Sequence, residues 1–252
     1  MTMERVLVGF DGSVPAVRAL DLAAEEAALR GGELEIVHAL PDVDGAAPVL
    51  AAAVDRVHTR HPALETAAVP VAGDPVRALL DRGRTAALTV VGSRDLDGIA
   101  GFVTGSVSRR TAARAECPVM IVGGKRAGRR QAGPGFVLFV VGADDEADAA
   151  GLAFAEARLR GVELRIRHAP TYAPAAPGPA AARRHPAAPE PHQRAPQHRE
   201  TRAALATSAA GAAETGEALL VVATRRSCRG PDRAARSLLH EARCPVVLVP
   251  AR

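Results

Sequence analysis

The chain has 252 residues, 48% of them hydrophobic, with 2% aromatic residues and no tryptophan, so its core must be built from Val, Leu, Ile and Ala, and a base-stacking surface for nucleic acid is not expected. The formal net charge is +4, yet Lys125 is the only lysine and the arginines are spread along the chain, the pattern of a solvated surface rather than of an anion footprint. No apolar run approaches the roughly eighteen residues of a membrane span, MTMERVLVGF carries no secretory leader pattern, and Cys117, Cys228 and Cys244 lack zinc or CxxC spacing, which predicts a reducing, cytoplasmic location with no membrane partner and no metal site.

A chain of this length holds one large core or two ordinary ones, and two is the better expectation. Short, β-branched apolar runs bounded by Gly and Pro read as strands buried on both faces. They fall at Val6 to Gly9, Glu33 to Ala39, Glu65 to Ala72, Leu88 to Gly92 and Pro118 to Val122. Between them, PAVRALDLAAEEAALRGG is a helix closed by a glycine C-cap, VLAAAVDRVHTRH is a second, and GDPVRALLDRGRTA is a third with Asp74 as N-cap before Pro75. Residues 106–115 make a fourth. Strands alternating with helices of this length imply parallel pairing through right-handed crossovers, hence an α/β, doubly wound parallel sheet. Ligands of such sheets sit outside the carboxyl ends of the strands, here just after Gly9, Ala39 and Gly92.

The stretch VVGSRDLDGIAGFVTGSVSRR, residues 90–110, lies at that edge. Its glycines let backbone approach a bulky anion, and the first amides of the helix after Gly105 offer free N–H donors aided by the helix dipole. Ser106 and Ser108 add hydroxyls. By itself such a loop also serves tight turns, and it is neither a P-loop nor a dinucleotide fingerprint.

The remainder of the chain repeats the first part. RVLVGFDGS, from Arg5, returns as FVLFVVGADDE, from Phe136; RGGELEIVHA returns as RGVELRIRHA; and ECPVMIV returns as RCPVVLV. Gly9 matches Gly142 and Asp11 matches Asp144. The repeat predicts one domain over residues 1–123, a linker over 124–135 and a second, degenerate domain over 136–252. In the second copy Ala223 stands for Gly92, eight loop residues replace twelve, and Asp232 stands where Gly105 would be, so a triphosphate cradle is not expected there. Arg225, Arg226, Arg229 and Arg233 read as a solvated face around Cys228. Residues 170–200 are rich in Pro and Ala, and Pro170 to Arg202 holds no Val, Ile, Leu or Phe, the composition of a flexible insert. Its His185, His192 and His198 lack fixed ligand geometry. His38 and His168 read as structural.

Order and spacing together, VLVGFDGS at the start and VVGSRDLDGIAGFVTGSVSRR followed by CPVMIV, resemble the universal stress protein family over Met3 to Val122, and more loosely over Phe136 to Val249. The resemblance implies a tandem member with the adenine nucleotide alpha-hydrolase-like fold, strand order 3-2-1-4-5, and ATP as ligand. It implies that Asp11 and backbone at Gly9 and Ala39 hold adenine and ribose. Gly92, Arg94, Gly105, Ser106, Val107 and Ser108 would cradle the phosphates, Val91 would also belong to the nucleotide site, and Mg2+ would be a companion ion. The two domains would pack about a pseudo-twofold axis through their final strands as an intrachain pseudo-dimer, with further homodimerisation left open. The family's motif is Gly-x2-Gly-x9-Gly-(Ser/Thr), and here Asp95 occupies the second glycine. A carboxylate about 5 Å from a phosphate repels it by roughly 3 kcal/mol at an effective dielectric of 20, so binding is weakened.

The function implied is a regulatory stress-response protein that senses an adenine nucleotide in its first domain and acts through a protein partner. It is not an enzyme, because no general base recurs beside Asp11. The alternatives are an interaction module that binds no nucleotide, which Asp95 permits, and a slow nucleotide hydrolase.

Overall fold

The computed structural model describes residues 4–93, 107–123, 135–141, 146–168, 218–225 and 244–251. In the first half, β1 (Arg5–Gly9), β2 (Glu33–Leu40), β3 (Thr66–Ala72), β4 (Leu88–Gly92) and β5 (Val119–Val122) alternate with α1 (Val14–Arg30), α2 (Ala46–Arg60), α3 (Pro75–Gly83) and α4 (Val107–Arg114). In the second half the described elements are β6 (Phe136–Val141), α5 (Ala147–Arg160), β7 (Glu163–His168), β8 (Ala218–Arg225) and β9 (Val246–Pro250).

Local chemistry sets these boundaries. Ser13 caps α1 by accepting from the Ala16 amide, and Gly31 ends it at φ 60°, a left-handed conformation that glycine takes without a Cβ penalty. Gly161 closes α5 in the same way, at φ 64°. Asp74 accepts from the Val76 amide at 3.2 Å and Pro75 opens α3.

The nine described strands join one sheet in the order β3-β2-β1-β4-β5-β9-β8-β6-β7. The first half has the order 3-2-1-4-5 expected of it, and its neighbours pair in parallel. Outward from β9 the second half repeats the sequence of neighbours, and a counterpart of β3 is not found among the described residues. The seam is β5 against β9, the one antiparallel ladder among the described strands, with Met120 opposite Val247.

Both faces of the sheet are covered. Val6, Val8, Ile36, Val90, Met120, Val137, Val222 and Val247 lie in one core layer with α1, α2 and α5; Leu7, Val37, Val91, Ile121, Leu138, Val221 and Leu248 lie in the other with α3 and α4. Each layer runs through the seam without interruption, so burial of β-branched and Leu side chains stabilises the two halves jointly.

Polar ties reinforce the packing of the helices. Asp21 of α1 accepts from Arg56 of α2 at 2.6 and 2.7 Å and faces Arg60 at 2.7 Å. Burial alone would push the Asp21 carboxyl up, but Arg56 and Arg60 outweigh it and hold the group below the usual carboxylate range. At the seam, Glu26 and Arg30 of α1 meet Glu156 and Arg160 of α5. Each arginine pairs with the glutamate on its own helix and with the one on the other helix. All four side chains are about nine-tenths buried. Burial would lower the Arg160 pKa, but Glu26 and Glu156 raise it.

Candidate functional site

Parallel register brings the carboxyl ends of the inner strands into one line. Gly9 lies beside Val37, Val8 beside Val90, and Gly92 beside Val122. Just past β1 the chain makes a tight corner. The Phe10 amide donates to the Val37 carbonyl at 2.9 Å, and the Phe10 carbonyl lies 2.7 Å from His38 Nδ1, which gives His38 the structural role expected of it. Asp11 is exposed at the mouth of this corner, with Oδ1 accepting from the Ser13 amide at 3.0 Å. This is an Asx turn, which fixes the carboxylate over the start of α1. Gly12 completes the corner at φ 76°.

Among the strand-end residues, Val91 turns its side chain into the core and Ala39 packs half-buried against the same layer. Both can therefore offer a ligand little but backbone. Gly92 is constrained by the protein itself, because a Cβ there would lie 2.5 Å from the Pro15 carbonyl oxygen in the first turn of α1. On its Cβ side, then, the close approach at this glycine is made by helix α1. A Cβ at Gly9 would meet only the side chain of Leu79, at 3.1 Å. The Ser93 amide donates to the Val122 carbonyl at 2.8 Å and is thus committed to the sheet edge.

At the head of α4, Val107 packs against the core and Ser108 is buried, 6% exposed. The serine expected to present a hydroxyl at the loop surface is therefore enclosed by protein. Below it, Thr111 is fully buried, and its Oγ1 has no hydrogen-bond partner among the described residues. Arg110 reaches Asp74 at the head of α3, 3.2 Å away. Arg94, Asp95, Gly105 and Ser106 lie outside the described residues, as do Arg226, Cys228, Arg229, Arg233 and the three insert histidines.

In the second half, a hollow of about 140 Å³ at the head of α5 is lined by Glu146, Asp148, Thr224, Pro250 and neighbouring alanines. Glu146 stands where the first half has Ser13, and it does not cap its helix. Carboxylates in this position oppose a polyphosphate.

Two features escaped the sequence reading. Arg225, read as part of a solvated face, instead donates to the carbonyls of Ala112 and Ala115 at the end of α4, at 3.0 and 2.6 Å. The four-residue ion cluster at the seam was also missed, although its signal is visible: Glu-x3-Arg-Gly occurs at Glu26 and again at Glu156. Among the described residues, no group of three or more His, Cys, Asp or Glu side chains could hold a metal, and no helix is long and apolar enough to cross a membrane. Cys117 and Cys244 are buried free thiols. Burial pushes both up, Cys244 to about 12.

Comparison with known proteins agrees with this architecture. The family model described as "Universal stress protein family" matches residues 2–123. Universal stress protein Rv2623 of Mycobacterium tuberculosis is 36% identical over 130 residues, 46% of this chain and 44% of that protein. Universal stress protein Rv2028c of the same organism is 36% identical over 178 residues, 64% of this chain and 63% of that protein. The matches thus span about half to under two thirds of these relatives' own length. A solved universal stress protein in complex with cAMP is 35% identical over 49% of this chain and 98% of its own, with a TM-score of 0.44. A universal stress protein from Archaeoglobus fulgidus, 14% identical, covers the whole of both chains with a TM-score of 0.66 and shares the fold. With the parallel order of β1 to β5, the corner at Asp11 and these matches in hand, the chain belongs to the universal stress protein family.

Proposed function

We propose that the first half binds an adenine nucleotide, ATP in the first instance, and that the chain is a cytoplasmic regulatory protein of the stress response rather than an enzyme. The observation that carries this reading is the alignment of the carboxyl ends of β1, β2 and β4, with Asp11 exposed just past β1 and Gly92 closing β4, from which the family's spacing continues to Gly105 and Ser106. Asp11 would face the ribose and adenine together with backbone at Gly9, Ala39 and Val91, and the turn from Gly92 through Arg94 to Gly105, Ser106 and Val107 would receive the phosphates, with Ser108, whose side chain is buried, contributing its backbone amide. Mg2+ would arrive with the nucleotide as the companion ion of its phosphates. The acidic hollow at Glu146 and Asp148 supports confining nucleotide to the first half.

Native mass spectrometry of the freshly purified full chain tests this. One adenine nucleotide mass per chain, displaced by added ATP, is the expected result. A bare chain that takes up no ATP at millimolar concentration overturns the reading. It would favour the second one, an interaction module without nucleotide, which the carboxylate of Asp95 at a glycine position favours.

A further inference from the structure

We propose that Arg225, a residue of the second half, is a positioning residue for the candidate nucleotide site of the first half, acting through α4. The proposal rests on the nucleotide reading for its consequence, and on geometry alone for its first step. Arg225 Nη1 donates to the Ala112 carbonyl at 3.0 Å and Nη2 to the Ala115 carbonyl at 2.6 Å, across 113 and 110 residues of chain. The last carbonyls of a helix have no partners within it and carry the negative end of its dipole. A planar guanidinium satisfies two of them at once and opposes that charge, which the single ammonium of a lysine cannot reproduce.

The helix needs such a hold. It has eight residues, and its buried side chains are Ser108, Thr111, Ala112 and Ala113, with no large apolar group among them. A helix this short is marginal without tertiary support, and here the usual support, a stripe of Leu or Val, is missing. Thr111 adds a buried hydroxyl without a partner among the described residues, which costs rather than contributes. A further tie, Arg110 to Asp74, is close to half exposed on both sides and so weakened by solvent. The anchor behind Arg225 is firm by contrast. Arg225 lies opposite Pro250 in the β8–β9 ladder, and its carbonyl accepts from the Ala251 amide at 3.1 Å.

Position converts this clamp into an effect on the site. Val107 begins α4 directly after Gly105 and Ser106, and eight residues span only about 12 Å. A helix released at its last turn can tilt as a body and move its first amides, the donors the nucleotide reading requires. The second half is therefore more than ballast, because it supplies the pin that holds those donors in place.

Full-length Arg225→Met, which keeps bulk and loses the fork, and Arg225→Lys, which keeps charge, provide the test. The readouts are hydrogen exchange of the α4 amides and calorimetric titration with ATP. In Arg225→Met the α4 amides should exchange about tenfold faster while those of β1 and β2 keep their protection, and ATP should bind about five- to tenfold more weakly, with Arg225→Lys between. Unchanged α4 exchange and unchanged affinity would overturn the proposal. So would a uniform loss of protection across β1, β2 and α4, which marks general destabilisation. If the wild-type chain binds no ATP, the nucleotide reading falls separately, and α4 exchange in Arg225→Met still decides whether the clamp exists.

Discussion

Arg30 of α1 reaches Glu156 of α5, 126 residues further along the chain, and Arg160 returns the contact to Glu26. The four charges form a closed square in the interior, each satisfied by two opposite neighbours. Removing one corner leaves a buried carboxylate short of a partner. Arg30→Met is expected to cost about 3–5 kcal/mol in urea unfolding, whereas replacing all four by Leu or Met should come out near neutral or stabilising. A single variant that unfolds at the wild-type urea midpoint would refute the assignment.

Asp21 sets an acid limit on the α1–α2 contact. Its folded pKa lies below the unfolded value, so its contribution is fully present above about pH 4, the unfolded carboxylate range, and disappears as pH falls through the folded pKa. Asp21→Asn should therefore lower stability by about 1 kcal/mol at pH 7, the size of a partly exposed paired carboxylate. At a pH below the folded pKa the variant and the wild type should converge. Melts across pH 2 to 7 check the sign.

Gly92→Ala would place a methyl group 2.5 Å from the Pro15 carbonyl oxygen, against backbone that cannot rotate away. Helix α1 or β4 must shift, at about 1–3 kcal/mol. Gly9→Ala meets only the flexible end of Leu79 and should cost less. The expected order in chemical denaturation is wild type, then Gly9→Ala, then Gly92→Ala.

Cys117 and Cys244 should resist thiol reagents in the folded chain, since burial raises both pKa values and keeps the thiolate scarce. Titration with a disulfide reagent at pH 8 should find at most one of the three cysteines before denaturation and all three after it.

Asp95→Gly restores the family's glycine and removes a negative charge from beside the expected phosphates. ATP affinity should rise by about tenfold or more in calorimetry. Equal affinities would mean that the carboxylate points away from the ligand.

Much of the first half was legible in its sequence because the signals are local. Leu88–Gly92 is a β-branched run ended by glycine, Asp74 precedes a helix-opening proline, and Gly31 follows an Arg at a helix end. What escaped depends on partners remote in the chain. Nothing beside Arg225 in sequence says that it will meet Ala112, and a Glu-x3-Arg pair reads as an ordinary surface pair until a second helix covers it. Gly92 stands out in the sequence as a point of close approach, but that Pro15 is one of the groups approaching it is visible only in the fold. The glycine-rich turn itself, with Arg94, Asp95, Gly105 and Ser106, lies outside the described residues.

The ladder between β5 and β9 makes each half the cover of the other's raw border. Severing the chain between Val122 and Phe136 would strip backbone donors and acceptors along Val119, Met120 and Ile121 and bare both core layers at that line. Joined, the two pieces meet at a fixed local concentration; parted, they would meet only as dilution allows.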